Sequence, residues 1–121
     1  NEPPSCYPDS LKERGQYIIN EFSRYSNTLG FDAGNEVTLH SSDPEKEINA
    51  PCQKKFIRDM RSYINTCSNV TATILPRQVP IGMANWDYAR ELQSSYFNCE
   101  ETDPLEAPDW YGINVYLHCD P

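Results

Sequence analysis

At 121 residues, 38% of them hydrophobic and 23% charged, the chain has the size and composition of one globular unit. A formal net charge of −8 and a pI near 4.6 leave no basic patch, which sets aside nucleic acid and anionic membrane surfaces as partners. No apolar run approaches the roughly 20 residues of a membrane span, and Asn1-Glu2-Pro3-Pro4 is neither an initiator methionine nor a signal peptide, so the chain reads as processed or cut from something longer.

Taken in order, Ser10-Leu11-Lys12-Glu13 has the form of a capping box, and Leu11, Ile18, Ile19, Phe22 and Tyr25 follow at helical spacing. This predicts a helix from about Leu11 to Asn27, weakened by roughly 1 kcal/mol at Gly15. Leu29, Phe31 and Ala33 then make an apolar run of strand length that ends in Gly34-Asn35-Glu36. A strand that delivers a carboxylate to a loop has the layout of a site in parallel α/β proteins, where ligands bind at the carboxyl ends of strands; the same three residues also serve simply as a turn. After a polar loop over 41–49, a second helix starts near Pro51, carries Phe56, Ile57, Met60, Tyr63 and Ile64 on one face, and ends before a turn region at 68–73.

Val79 to Ala84 is the second predicted strand, with Asn85-Trp86-Asp87 at its far end. A short helix over about 88–96 and an acidic loop over 98–108 lead to a third strand, Trp110 to Tyr116, in which Trp110 is expected to be buried packing. Strands alternating with helices predict an α/β fold of parallel βα units. A (β/α)₈ barrel takes roughly 250 residues, so this chain corresponds to about half of a TIM-barrel-like fold, with two open edges.

Five cysteines, at 6, 52, 67, 99 and 119, suggest an oxidising compartment, and their odd number leaves one unpaired within the chain. Cys52 and Cys67 flank a helix about 20 Å long and cannot bridge each other across it. Asn69-Val70-Thr71 is an N-glycosylation acceptor and Asn65-Thr66-Cys67 a rarer variant, which with the cysteines points to an extracellular or cell-surface protein. Cys-x-x-Cys and paired-histidine spacings are absent, and His40 and His118 lie far apart, so neither a metal nor another cofactor is expected.

Several blocks carry a resemblance. Tyr25 to Phe31 running into Ala33-Gly34-Asn35-Glu36-Val37, then Ile57 to Ile64, Val79-Pro80-Ile81-Gly82, Tyr96-Phe97-Asn98-Cys99 and Tyr111 to Tyr116 ending in Cys119 resemble, in order and spacing, the fungal-type β-1,3-glucanosyltransferases of glycoside hydrolase family 72. The resemblance spans about Leu11 to Cys119. It implies a single segment, 1–121, covering roughly strands 4 to 6 of the barrel with their helices, in a secreted enzyme that cuts β-1,3-glucan and joins the new end to another chain. By the same resemblance Glu36 is the general acid/base, Asn35 contacts the sugar 2-hydroxyl, and Tyr116 lies beside the catalytic carboxylates. Asn85, Trp86 and Asp87, at another strand end, are further candidates for binding sugar. A retaining mechanism needs a second carboxylate about 5–5.5 Å away. In the family it lies on the seventh strand, and neither Asp87 nor Asp120 matches its motif, so the chain alone is expected to be inactive. The family usually has an apolar residue at the place of Asp32 and an acidic-aromatic pair at the place of Leu117-His118. Cys99 and Cys119 resemble family cysteines with partners, one or both, beyond the chain. The partners implied are β-1,3-glucan or another carbohydrate and the remainder of the barrel or other copies of the chain. An alternative is a non-catalytic extracellular scaffold or filament subunit that reuses the fold.

Overall fold

The computed structural model describes residues 6–38, 48–70, 79–87, 90–100 and 102–116. The elements alternate as α1 (Asp9–Phe22), β1 (Phe31–Asn35), α2 (Ala50–Val70), β2 (Ile81–Trp86), α3 (Arg90–Phe97) and β3 (Tyr111–Asn114). The three strands form one parallel sheet in the order β1-β2-β3.

The boundaries shift from those predicted, for local reasons. The first helix begins two residues early, at Asp9 after Pro8, and the Ser10–Glu13 capping box is not used; no side chain caps this end, and Asp9 complements the positive end of the helix instead. It stops at Phe22 because the Thr28 hydroxyl donates to the Phe22 carbonyl at 2.7 Å while the chain turns through Tyr25. Leu29, expected to start the first strand, is 83% exposed and precedes it. The second helix is a turn longer than predicted and runs through Asn69, so the acceptor asparagine is in its last turn.

Period-two alternation sorts β2 into two faces. Ile81, Met83 and Asn85 are all buried; Ile81 and Met83 face the helices and join Ile19, Ala50, Ile57, Met60, Ile64 and Phe97 in the core. Gly82, Ala84 and Trp86 occupy the opposite face. There Trp110 lies against Gly82 so closely that a Cβ at Gly82 would fall inside the indole, and one at Gly30 would sit 2.6 Å from the same ring. Trp110 is therefore a lid on the sheet, 37% exposed, and not the buried residue predicted. Gly15, costly for helix propensity, has a packing reason: a Cβ there would meet Met60 Sδ at 2.5 Å and Phe56 at 3.1 Å, so its absence lets α1 approach α2.

One face of α2 anchors the acidic loop. Lys54 donates to Thr102 Oγ1 (2.9 Å), Arg58 pairs with Glu106 (2.7 Å), and Arg61 reaches both Asp109 (3.1 Å) and the Ala107 carbonyl (2.7 Å). Spacings of four and three place the three cations in one stripe. Asp109 in turn accepts the Ile81 N–H at 2.7 Å and donates its own N–H to the Ile81 carbonyl at 2.7 Å, which starts β2. Cys6 and Cys52 form a disulfide with Cα atoms 5.0 Å apart, and Cys99 is a free, exposed thiol. Cys119 and the side chain of Cys67 lie outside the described residues. Among the described residues no helix is long and apolar enough to cross a membrane.

Arg61→Ala should lower the unfolding free energy by about 1–2 kcal/mol, because it leaves the Ala107 carbonyl without its donor and removes the cation paired with the exposed Asp109 carboxylate. Urea unfolding followed by circular dichroism checks this, and a midpoint equal to that of the parent would show that the stripe does not hold the loop.

Candidate active site

The carboxyl end of β1 carries an extra residue. Phe31 and Asp32 pair with Ile81 and Gly82, but Asn35, rather than Gly34, pairs with Ala84, so the register slips between Asp32 and Asn35. A bulge leaves backbone groups without ladder partners, and side chains supply them here. Asp32 Oδ1 accepts the Gly34 N–H at 2.9 Å, and Gln53 Nε2 of α2 donates to the Ala33 carbonyl at 3.0 Å. The second contact requires glycine at 34, since a Cβ would approach Gln53 Oε1 to 2.6 Å. Asp32, where the resemblance leads one to expect an apolar residue, thus stabilises the bulge.

The slip puts Asn35 on the Ala84 face and delivers Glu36 just past the strand end. Glu36 has φ 54°, the only positive value at a non-glycine residue among those described, a conformation that costs of order 1 kcal/mol or more. Its N–H still donates to the Ala84 carbonyl at 2.9 Å, so the strained residue stays tied to β2.

Its carboxylate meets two side chains from beyond the centre of the sheet. Asn114 Nδ2 donates to Glu36 Oε1 at 2.8 Å and to Asn35 Oδ1 at 2.8 Å, and the Tyr116 hydroxyl donates to the same Glu36 Oε1 at 3.0 Å. The reach from β3 to β1 passes over Ala84, paired with Asn35 on one side and with Gly112 on the other. Two residues this small leave the path open. The structure therefore brings Asn35, Glu36 and Tyr116 together and adds Asn114. Asn114 was missed because an asparagine inside an apolar strand reads as interruption; its position two residues before Tyr116 and two after Gly112 was the available signal.

The Asn85-Trp86-Asp87 group divides. Asn85, expected to present an amide to sugar, is fully buried on the helix-facing side, where its amide donates to Thr38 Oγ1 and lies 3.4 Å from Gln93 Oε1 of α3. Thr38 also donates to Gln93 at 3.1 Å, so this buried network holds the segment after Glu36 and Asn85 supports the site from behind. Trp86 sits on the same face as Asn114, its register partner. Asp87 is exposed and pairs with Arg90 at 3.5 Å at the start of α3.

The Tyr116 phenol is raised above its ordinary 10.0, first by its hydrogen bond to Glu36 and then by the charge of that carboxylate. The contact is present below the unfolded value and lost as pH rises through the raised folded value. Glu36→Gln should bring this titration back toward 10; difference absorbance against Tyr116→Phe measures it, and an unmoved titration would contradict the contact.

Compared with known proteins, the whole chain, residues 1–121, matches a family model described as glucanosyltransferase. It is 39% identical over 113 residues to the 1,3-beta-glucanosyltransferase PGA4 of Candida albicans, covering 92% of this chain and 22% of that protein. Over 122 residues it is 34% identical to the 1,3-beta-glucanosyltransferase GAS4 of Saccharomyces cerevisiae (98% and 24%) and 35% identical to the 1,3-beta-glucanosyltransferase gel1 of Aspergillus fumigatus strain Af293 (99% and 24%). The chain spans about a quarter of the length of these relatives.

Proposed function

Because this chain belongs to the glucanosyltransferase family, glycoside hydrolase family 72, we propose that it forms strands 4 to 6 of a (β/α)₈ barrel in a retaining β-1,3-glucanosyltransferase, with Glu36 as general acid/base. The observation that carries this reading is the Glu36 carboxylate at the carboxyl end of a parallel sheet, held by donors from Asn114 and Tyr116. A non-catalytic scaffold has no use for a strained backbone and a converged carboxylate cluster, which favours the enzyme over the filament reading.

In this reading Glu36 gives a proton to the glycosidic oxygen as the bond to the anomeric carbon breaks. A second carboxylate, on a strand outside this chain, attacks that carbon from the opposite face and forms a covalent glycosyl intermediate. Glu36, now ionised, removes the proton of an acceptor sugar hydroxyl as its oxygen displaces the enzyme carboxylate. Asn35 serves the sugar 2-hydroxyl, and Trp86, on the same face, offers a ring for stacking on a neighbouring sugar unit. The Cys6–Cys52 disulfide and the Asn69 acceptor support an extracellular or cell-surface location, with cell-wall β-1,3-glucan as substrate and the rest of the barrel as the covering partner.

Two outcomes follow. The 121-residue chain on its own should neither transfer nor hydrolyse laminari-oligosaccharides, since no nucleophile accompanies Glu36; lengthened products above background would place the second carboxylate within it. In the full-length protein Glu36→Gln should cost on the order of 10²–10⁴ in transfer rate, and unchanged turnover would remove Glu36 from the chemistry.

A further inference from the structure

Resting on the assignment of Glu36 as acid/base, we infer that Asn114 is a positioning residue that decides which oxygen of Glu36 carries the proton and which way the Asn35 amide faces. Both effects come from one NH₂ group. Its two hydrogens are divided between Glu36 Oε1 and Asn35 Oδ1, each at 2.8 Å, and Oε1 also receives the Tyr116 hydroxyl at 3.0 Å.

An oxygen that already accepts two hydrogen bonds cannot be protonated without losing one of them. Glu36 Oε2 has no hydrogen-bond partner among the described residues, so the proton goes there. A general acid needs its proton on the oxygen facing the scissile bond, and a carboxyl group free to protonate either oxygen would be misprotonated part of the time. The donors on Oε1 remove that ambiguity.

The same NH₂ group orients Asn35. With Oδ1 accepting from Asn114, the Asn35 Nδ2 is turned away and remains a donor for a sugar hydroxyl. A flipped Asn35 would set two NH₂ groups against each other and forfeit the bond. Asn35 and Glu36, adjacent in sequence, thus depend on one side chain supplied 78 residues later in the chain.

In the full-length protein Asn114→Ala should reduce kcat/KM on laminari-oligosaccharides by roughly 10–100-fold at the optimum. Asn114→Asp, equal in shape but without the donor and with a like charge, should reduce it further. Both variants should lose much less on an aryl laminaribioside with a dinitrophenolate leaving group, whose departure needs no proton, the remaining loss being that of the Asn35 contact; a misfolded protein would lose both substrates alike. If Glu36→Gln is inactive on the natural linkage while Asn114→Ala and Asn114→Asp keep the parental rate, the positioning role is wrong and the acid assignment stands. If Glu36→Gln is fully active, the assignment on which the role rests fails first. Equal loss by the Asn114 variants on both substrates also overturns the proposal.

Discussion

A β-strand alternates its side chains with a period of two, so a single extra residue between Asp32 and Asn35 is enough to turn Asn35 from the helix layer to the open face of the sheet. Everything at the candidate site follows from that slip. In regular register Gly34 would oppose Ala84 and the Asn35 amide would be driven toward α2. With the bulge, Asn35 shares a face with Ala84, Gly112 and Asn114, and Glu36 leaves the strand at an angle only a positive φ can supply. Local partners make the irregularity affordable. Asp32 and Gln53 satisfy the displaced backbone groups, and the Glu36 N–H keeps its place on the Ala84 carbonyl.

Helix α2 ties this end of the sheet to the other. Its Gln53 supports the bulge, its Ile57, Met60 and Ile64 build the core, and its Lys54, Arg58 and Arg61 hold the segment that leads into β3. The strand that contributes Asn114 and Tyr116 is thus placed by the same helix that supports Asn35 and Glu36. Core packing fixes the layer spacing, while the polar contacts of α2 fix where the two outer strands sit along it.

Much of the architecture was legible in the sequence. The order of three helices and three strands came from apolar periodicity, which tertiary packing reinforces and which therefore survives errors at the ends. The boundaries were less legible, because they depend on single contacts. The Ser10–Glu13 box looked like a helix start, yet Asp9 and Pro8 supply an earlier one, and the Thr28 hydroxyl ends α1 before Asn27. Gly34-Asn35-Glu36 could be singled out as a strand-end carboxylate, but the bulge that aims it could not, since it depends on Gln53, 18 positions beyond Asn35. Asn85 and Asn114 illustrate the same limit: both are asparagines in apolar strands, and only the register shows that one faces the helices and the other Glu36. Trp110 was misplaced because its position depends on two glycines distant in sequence, Gly30 just before β1 and Gly82 in β2, over which it lies partly exposed. The pairing of Cys6 with Cys52 likewise required the fold, since five cysteines permit many connectivities.

The Cys6–Cys52 bond closes a covalent ring across 46 positions of sequence, for which loop-closure entropy alone stabilises by about 4 kcal/mol. The ring encloses α1 and β1, and with them Asn35 and Glu36, whereas Asn114 and Tyr116 lie outside it. The carboxylate cluster therefore straddles a boundary between a segment closed by a covalent ring and one outside that ring. β1 and β3 are both edge strands of this sheet, so the ring and not the edge distinguishes them, and partial opening is hindered on the Glu36 side. Glu36 would be the last member of its own cluster to lose its place, and amide exchange would record the asymmetry as slower protons on β1 than on β3.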